Sequence, residues 1–488
     1  MEDEGTMEKG KVFLVGAGPG DIGLITVKGL ETIGQADVIL YDRLANPKLL
    51  EYAKSDCEFI YCGKLPKRHI LRQEAINDLL VMNALQGKTV VRLKGGDPGV
   101  FGRVGEEAEA LAEYEIPFEI VPGISSGIAA PLYAGIPVTH RQFGESFAVV
   151  TAHDQSKDGK PTLDWQGLAH GISTIAFYMG ISNLPYICEN LIKHGKSKDT
   201  PVILIQWGTL GRQNTLEGTL DTIVKKVEEE QFTNPAITLV GEIVAMRGKI
   251  KWFEKKPLFG RQILLARTGN TPSKLAKTLS DQGADVIEFP KWRKEAITPN
   301  EKIVSIIDTY DRILFTSEEC VGEFFDLLFK KGIDIRKVQA DFYGCSTKSI
   351  SAIKEKGFLT AHEKEMKSEG TLLIIGSIEL DSSHFSAYGS FDYLQTSRKI
   401  VDESFIPIFK RMVEEASLNT VIFPSSASVS LFFEKVLKKE LISDEEFQKL
   451  EVVCMGEKTK KTAIEFGLSP ARIPESPTNQ AMVDCLKK

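Results

Sequence analysis

Short apolar segments that alternate with stretches of helical length constrain the fold of this chain more than any other feature. Within residues 11–250 these segments are rich in Val and Ile, and they lie at residues 12–15, 36–41, 87–93, 118–121, 147–151, 174–178 and 201–205. Such alternation predicts an α/β domain. Because ligands of α/β domains bind beyond the carboxyl ends of the strands, we expect the functional residues in the loops that follow these segments.

The second half of the chain contains an internal repeat. Residues 313–325 and 421–433 each combine a strand, a small polar pair and a helix with two aromatic residues at the same place. Residues 342–357 and 453–467 each run strand, Gly-x-x-Thr, helix and glycine. This duplicated βα-βα unit predicts a second α/β domain of two similar lobes with a cleft between them.

These patterns divide the chain into four segments. Residues 1–10 are polar and are expected to form a disordered tail, and residues 11–250 form the first α/β domain. Residues 251–260 are a junction, where the alternation changes, and residues 261–488 form the duplicated domain.

Composition excludes several classes of protein. The 488 residues include seven scattered cysteines without a CxxC pair, and the seven histidines form no HxxxH or HExxH pattern. We therefore expect free thiols in the reducing cytoplasm and no metal site. No apolar stretch reaches about 18 residues, so no membrane span is expected. The net charge of −7 argues against broad nucleic-acid binding but not against a small anionic substrate.

A glycine-rich loop follows the third of the apolar segments. The segment ends in Gly95-Gly96-Asp97-Pro98, and further glycines follow before an acidic helical start. Adjacent glycines allow close approach of a ligand and a positive φ. Asp97 is suited to accept a hydrogen bond from a ribose or an amino group. The alternative is an ordinary strand-to-helix turn.

A second glycine-rich loop, Gly16-Ala-Gly-Pro-Gly-Asp21, follows the first segment. A dinucleotide-binding fingerprint would have its third glycine at position 21. Asp21 stands there instead and Pro19 lacks a backbone donor, which disfavours a dinucleotide site even though Asp42 lies about where a ribose-binding acid would be expected.

The order of motifs in residues 10–250 closely resembles the uroporphyrinogen-III C-methyltransferases, a family of tetrapyrrole methylases. The matching segments are Gly16–Asp21, Leu40-Tyr-Asp-Arg43, Gly63-Lys64, Gly95–Pro98, Val121-Pro-Gly-Ile-Ser-Ser126, Gly135–Arg141 and Tyr178-Met-Gly180. The resemblance implies a two-lobed α/β methyltransferase domain that binds S-adenosylmethionine (SAM) and forms a homodimer.

The same resemblance implies which residues bind SAM: Pro19, Gly95, Gly96, Asp97, Val100, Ser125, Ser126, Met179 and Gly208. Met179 would offer a polarisable face to adenine or to the sulfonium, and the alternative for it is core filling. Family members usually carry Thr where Ser125 stands, and Ser keeps the hydroxyl.

Catalytic roles are also implied by the resemblance. Asp42 corresponds to the proposed general base, with a helix cap as its alternative role. Lys64 corresponds to the proposed proton donor, with a solvated surface lysine as its alternative. Family members normally have Arg where this chain has Leu65. Arg141 is expected to bind substrate carboxylates.

Residues 261–488 resemble the uroporphyrinogen-III synthases, which close the linear tetrapyrrole hydroxymethylbilane into a ring and invert its last pyrrole. The resemblance rests on the two-lobe repeat and on its paired loops. Six loop residues are candidates for binding substrate carboxylates through helix N-termini: Thr316, Ser317, Thr347, Ser425, Ser426 and Thr459. Their alternative role is ordinary helix capping. The tyrosine often found in the cleft of this family aligns with Leu394, one residue after Tyr393.

Together the two resemblances predict a bifunctional enzyme. The second half would make uroporphyrinogen III, and the first half would methylate it twice with SAM to give precorrin-2. Small-molecule tetrapyrroles would then be its only partners besides a second copy of the chain. The alternative is a methyltransferase of another substrate, fused to a tetrapyrrole-binding module without catalytic activity.

Overall fold

The structure is a computed structural model that describes residues 8–63, 72–153, 159–269, 273–376, 385 and 388–487. It forms two compact units. The first comprises residues 1–267, 272–289 and 404–488, and the second comprises residues 268–271 and 290–403. The α/β fold class predicted from the sequence is confirmed throughout.

The first sheet of the first unit is entirely parallel, in the order β3-β2-β4-β1-β5. Its strands are β1 (Val12–Gly16), β2 (Val38–Tyr41), β3 (Glu58–Tyr61), β4 (Val90–Lys94) and β5 (Phe118–Val121). The helices of this lobe are α1 (Val27–Gln35), α2 (Gln73–Leu85), α3 (Val104–Glu113) and α4 (Ser126–Tyr133). Because all strands are parallel, the loops after β1, β2 and β4 emerge at one edge of the sheet.

The second sheet of this unit is mixed, in the order β6-β7-β10-β8-β9, and only the β6–β7 pair is parallel. Its strands are β6 (Phe147–Thr151), β7 (Thr174–Tyr178), β8 (Pro201–Gln206), β9 (Asn214–Thr219) and β10 (Ala236–Val240). The helices are α5 (Trp165–Gly171), α6 (Leu184–Lys193), α7 (Ile223–Glu229) and α8 (Arg247–Ile250).

The third sheet of the first unit is parallel and combines two distant parts of the sequence, in the order β12-β11-β20-β21. Its strands are β11 (Gln262–Ala266), β12 (Asp285–Phe289), β20 (Thr420–Phe423) and β21 (Glu451–Cys454). The helices are α9 (Lys274–Asp281), α13 (Ile406–Glu415), α14 (Ser426–Phe432), α15 (Asp444–Gln448), α16 (Glu457–Glu465) and α17 (Asn479–Lys487).

The second unit contains a parallel sheet in the order β16-β15-β14-β17-β18 and an antiparallel ribbon of β13 and β19. The strands are β13 (Trp292–Ala296), β14 (Arg312–Phe315), β15 (Asp341–Gly344), β16 (Thr360–His362), β17 (Leu372–Gly376), β18 (Asp392–Gln395) and β19 (Ser397–Val401). The helices are α10 (Glu301–Ser305), α11 (Glu318–Lys330) and α12 (Thr347–Glu355).

The internal repeat is visible as two equivalent pairs of neighbouring strands. Strands β14 and β15 pair in parallel in the second unit, and β20 and β21 do so in the first. Each strand leads into a helix, and the N-cap residues of these helices are Ser317, Ser346, Ser425 and Gly456. Among the described helices, none combines the length and apolarity that a membrane span requires.

A buried ion network ties the end of the second sheet to the first lobe. Arg247, with 3% of its side chain exposed, donates to both carboxylate oxygens of Glu254 at 2.9 Å and to the Ala134 carbonyl at 2.6 Å. Burial alone would raise the pKa of Glu254, but hydrogen bonds from Arg247 and Lys251 outweigh it and hold that pKa below its ordinary value of 4.5. The charge of Glu254 therefore stabilises the folded state.

This network predicts a pH-dependent loss of stability. Glu254→Gln should lower the free energy of unfolding by about 2 kcal/mol at neutral pH, because a buried guanidinium loses a charged partner. A depressed folded-state pKa gives stability above pH 4.5 that is lost as pH falls through the folded pKa. Urea unfolding at several pH values should show the difference between wild type and variant shrinking below pH 4.5. A difference that stayed constant down to the lowest pH would contradict this account.

Candidate functional site

A cavity of about 690 Å³ opens at the carboxyl ends of β1, β2, β4, β7 and β8 in the first unit. All nine residues predicted to bind SAM line it: Pro19, Gly95, Gly96, Asp97, Val100, Ser125, Ser126, Met179 and Gly208. These residues are up to 189 positions apart in the sequence, so their convergence on one cavity is a property of the fold.

Close backbone contacts explain why glycines occupy the loops of the cavity. A Cβ built on Gly16 would lie 2.7 Å from the Gly96 oxygen, and one built on Gly123 would lie 2.3 Å from the same atom. Gly96 has a φ of +70° and exchanges backbone hydrogen bonds with Gly18. Side chains at these positions would force the loops apart, so the glycines are required by the geometry.

Asp97 has a structural role that the sequence analysis did not predict. One carboxylate oxygen accepts a hydrogen bond from the Gly99 amide at 2.7 Å, and the other accepts one from the Gly123 amide at 2.9 Å. The side chain therefore closes its own turn and fastens it to the loop after β5. Its expected role as a ligand acceptor depends on the remaining lone pairs of these oxygens.

Tyr178 organises the start of α4. Its hydroxyl lies 2.5 Å from Ser125 Oγ and accepts a hydrogen bond from the Gly127 amide at 2.5 Å. Its ring contacts Phe101, with 5.2 Å between the centroids. This tyrosine belongs to the motif Tyr178–Gly180, from which no role for it was predicted.

Backbone conformations around the cavity are unusual. Phe101, Met179 and Trp207 line the cavity and have φ angles of +56°, +55° and +49°. Non-glycine residues rarely adopt this region, and such residues concentrate at functional sites. Met179 is 45% exposed, so the alternative that it fills the core is wrong.

Asp42 follows β2 and belongs to a cluster of charges. Arg92 Nη2 donates to Asp42 Oδ1 at 2.6 Å, and Arg92 Nε donates to Glu107 Oε1 at 3.1 Å. Lys94 donates to the same oxygen of Glu107 at 2.6 Å. Arg92, Lys94 and Glu107 are buried, whereas 31% of the Asp42 side chain is exposed at the cavity.

The cluster shifts the pKa of both cations. Burial alone would lower the pKa of Arg92, but the charges of Asp42 and Glu107 outweigh it and raise that pKa. Burial and the neighbouring charge of Arg92 lower the pKa of Lys94, and Glu107 offsets them only in part. Arg92 is therefore a permanent cation that orients the Asp42 carboxylate.

The helix caps near the cavity test the alternative role of Asp42. The short helix that follows Asp42 is capped by Asn46, whose side chain accepts from the Lys48 amide, so Asp42 is not its cap. Asp21 caps the 3-10 helix Ile22–Leu24 and accepts a hydrogen bond from the Tyr133 hydroxyl at 2.9 Å.

The remaining candidates of the first domain are Lys64 and Arg141. Lys64 lies outside the described residues. Arg141 is exposed in a turn and is not among the residues that line the cavity. This position does not support the prediction that Arg141 binds substrate carboxylates in the cavity.

Three candidates of the duplicated domain lie in the second unit. Thr316 follows β14 and donates to the Ile375 carbonyl at 3.0 Å. Ser317 caps α11, where its hydroxyl accepts from the Cys320 amide at 3.4 Å. Thr347 is exposed in the first turn of α12, which is capped by Ser346.

The other three candidates lie in the first unit. Ser425 caps α14 in a capping box with Ser428, so the capping alternative holds for it as it does for Ser317. Thr459 is buried in the first turn of α16. The hydroxyl of Ser426 is buried and has no hydrogen-bond partner among the described residues.

Leu394 and Tyr393, the two residues near the position of the family's cleft tyrosine, lie on opposite faces of strand β18. Leu394 is fully buried in the hydrophobic core beneath the sheet. Tyr393 points to the opposite face, as strand alternation requires, and a Cβ on Gly376 would lie 2.4 Å from its hydroxyl.

Other residues that line the cavity were missed from the sequence, among them Arg43, Trp207, Arg212, Met412 and Glu415. Arg43 lies in a recognised motif, but no pattern in the sequence marks the other four. No group of three or more His, Cys, Asp or Glu side chains with metal-binding geometry occurs within the described ranges.

Comparison with protein families gives two matches. Residues 11–224 match the tetrapyrrole (corrin/porphyrin) methylases. Residues 392–484 match the family described as uroporphyrinogen-III synthase HemD. The two matches fall in the two parts of the chain for which the sequence analysis predicted them.

Curated relatives extend over nearly the whole chain. A uroporphyrinogen-III C-methyltransferase of Bacillus subtilis is 49% identical over 452 residues, which cover 92% of each chain. A porphyrin biosynthesis protein HemD of Ruminiclostridium josui is 35% identical and covers 98% of each chain. A uroporphyrinogen-III C-methyltransferase of Priestia megaterium is 63% identical over 48% of this chain and 98% of its own.

Proposed function

The chain belongs to the family in which a uroporphyrinogen-III C-methyltransferase is joined to a uroporphyrinogen-III synthase, and we propose which of its residues carry each activity. It is a bifunctional enzyme of tetrapyrrole biosynthesis. The synthase half cyclises hydroxymethylbilane to uroporphyrinogen III, and the methyltransferase half converts this product with SAM to precorrin-2.

The SAM site of this proposal is the cavity beyond the first two sheets. The convergence of the nine residues that the family resemblance implies on the walls of one cavity is the observation that carries the assignment. Gly95 and Gly96 allow close backbone approach, Met179 presents an exposed thioether, and Ser126 begins a helix whose N-terminus favours the ligand's carboxylate. When bound, SAM supplies an electrophilic methyl group, so this step needs no metal ion.

Asp42 is proposed as the base of the methyltransferase. Methylation of a pyrrole carbon draws electrons from the ring nitrogen and requires that a proton leave the ring. Asp42 is exposed to the cavity and held by Arg92, so one carboxylate oxygen is oriented and the side chain can accept that proton. Lys64 stays a proposed proton donor, on the strength of the motif alone.

Asp42→Ala should reduce kcat for uroporphyrinogen III methylation by about 100-fold or more, because a positioned base contributes roughly this much. The dissociation constant for SAM, measured by calorimetry, should stay unchanged. Asp56→Ala, an exposed acidic residue shortly before β3, is the control and should leave both quantities unchanged. Loss of SAM binding in Asp42→Ala would show that the role of Asp42 is structural.

For the synthase half we propose carboxylate-binding loops in each unit taken by itself: those after β20 and β21 in the first unit, and those after β14 and β15 in the second. Backbone donors at helix N-termini suit such anions, and Thr316, Ser317, Thr347, Ser425, Ser426 and Thr459 lie at these loops. The hydroxyl of Ser426 supports this, because it is buried without a partner among the described residues and buried polar groups normally have one.

One assay tests both activities on the whole enzyme. Purified protein should convert hydroxymethylbilane and SAM into a product of the type III arrangement that carries two added methyl groups, as shown by absorbance and mass. Unmethylated type I uroporphyrin alone would require a repeat with uroporphyrinogen III supplied directly. Methylation only in the repeat would leave the second half as a binding module, and no methylation would refute the assigned methyltransferase site.

We further propose a cytoplasmic homodimer formed through the methyltransferase domain. Ile128 and Leu132 lie four residues apart on α4 and therefore share one helix face, and both are exposed. Ile124, just before the helix, is exposed as well, so the region presents several apolar side chains. Such a region suits a self-complementary interface between two copies. The free cysteines are consistent with a reducing compartment.

Ile128→Glu should therefore shift the enzyme from a dimer to a monomer, because a charge would be buried in the interface. Light scattering coupled to gel filtration should give twice the 54.0 kDa chain mass for the wild type and the single chain mass for the variant. Leu359→Glu is the control: Leu359 is equally apolar and 95% exposed, but it belongs to the second unit and not to α4, so this variant should remain dimeric. A monomeric wild type would rule out the dimer.

A further inference from the structure

The C-terminal half contributes a wall to the methyltransferase cavity. Helix α13 lies against the edge of the first sheet, where Phe405 packs on Phe59 with 5.5 Å between the ring centroids. Arg411 is buried and lies over the rings of Tyr41 and Tyr61, at 4.9 Å and 4.4 Å from their centroids. Both tyrosines end strands that lead to the cavity, so the helix is seated next to Asp42.

A second contact between the methyltransferase domain and the C-terminal half lies at Gly211. Gly211 follows the cavity residues of the second sheet, and a Cβ built on it would lie 2.4 Å from the Asp285 amide nitrogen. Its carbonyl accepts a hydrogen bond from the Gly260 amide at 3.0 Å. The two halves are therefore packed closely enough to present side chains to a shared cavity.

The acidic side chains that reach this cavity from the C-terminal half pair with its arginines. Arg43 Nε donates to Glu415 Oε1 at 3.1 Å. Arg212 donates through Nη1 to the Glu415 carbonyl at 3.3 Å, and its Nε lies 3.8 Å from Asp285 Oδ2. Both guanidinium groups also lie against the ring of Trp207, at 5.9 Å and 4.3 Å from its centroid.

The two arginines in these ion pairs, Arg43 and Arg212, are suited to bind a substrate that carries several carboxylates. Uroporphyrinogen III carries acetate and propionate arms, and arginine binds carboxylates through two parallel donors. In this structure Arg43 Nε is engaged by the enzyme's own carboxylate, so a substrate carboxylate that binds this edge of the guanidinium competes with Glu415. The side chains of Arg43 and Glu415 are 47% and 15% exposed, and an ion pair with one partner this exposed contributes about 1 kcal/mol. A substrate carboxylate can therefore displace Glu415.

We propose that Glu415 is an internal carboxylate that competes with the substrate's carboxylate arms for Arg43, and that it thereby sets the affinity of the methyltransferase for its tetrapyrrole. The inference rests on the proposed function, because it places the tetrapyrrole in this cavity. It makes a residue of the synthase half a specificity-determining residue of the methyltransferase half. Glu415 takes no part in the chemical step, so it changes KM and not kcat.

Steady-state methylation of uroporphyrinogen III by the full-length chain tests the proposal. Glu415→Gln should lower KM by about two- to fivefold with kcat unchanged, which corresponds to the loss of one partly exposed ion pair. Glu414→Gln removes the same charge from the neighbouring exposed position of α13 and should leave KM unchanged. An unchanged or higher KM in Glu415→Gln would overturn the proposal.

A double-mutant cycle identifies the cation involved. Arg43→Gln alone should raise KM, and Glu415→Gln in that background should have no further effect on KM. An equal decrease of KM with and without Arg43 would overturn the role assigned to this pair. Thermal unfolding of each variant controls for damage to the fold, and Glu415→Ala provides a second substitution with the same expected KM. If the wild type did not methylate uroporphyrinogen III at all, the proposed function would fail before this inference was reached.

Discussion

The buried charge cluster on β4 is the interaction on which the methyltransferase site depends. Arg92 and Lys94 are two residues apart, so their side chains point to the same face of the first sheet, where both donate to Glu107 of α3. Three charges without solvent would be costly if any one of them lacked its partner. The cluster therefore fixes the distance between β4 and α3, and Arg92 extends this order to Asp42 at the edge of the cavity.

Much of the fold follows from local patterns in the sequence. The apolar segments predicted at 118–121, 147–151 and 174–178 coincide with β5, β6 and β7. Strand β3 and the mixed pairing of the second sheet were not predicted. The direction of pairing in the second sheet depends on partners that are distant in the sequence, so no local pattern indicates it.

The candidate site shows the same division between local and distant information. Glycine-rich loops are visible in the sequence because close backbone contacts and positive φ angles require the residue itself. The burial of Arg92 and Lys94 is not visible, since the alternation Val91-Arg-Leu-Lys94 is also typical of a strand with one solvated face. Only the position of Glu107 on α3 distinguishes the two cases. Ser317 and Ser425 are visible in the sequence as helix-start residues, but their role is not, because a helix cap and an anion contact use the same residue types.

The contribution of α13 to the cavity lies furthest from what sequence patterns can predict. Arg43 and Glu415 are 372 residues apart, and each belongs to a segment that has its own sufficient explanation, a motif loop and an amphipathic helix. Their pairing exists because the third sheet combines β11 and β12 with strands from the end of the chain, which brings the preceding helix back to the first sheet. A chain that makes a tetrapyrrole in one half and methylates it in the other thus has a physical means to couple them: the wall of one site is built from the fold of the other.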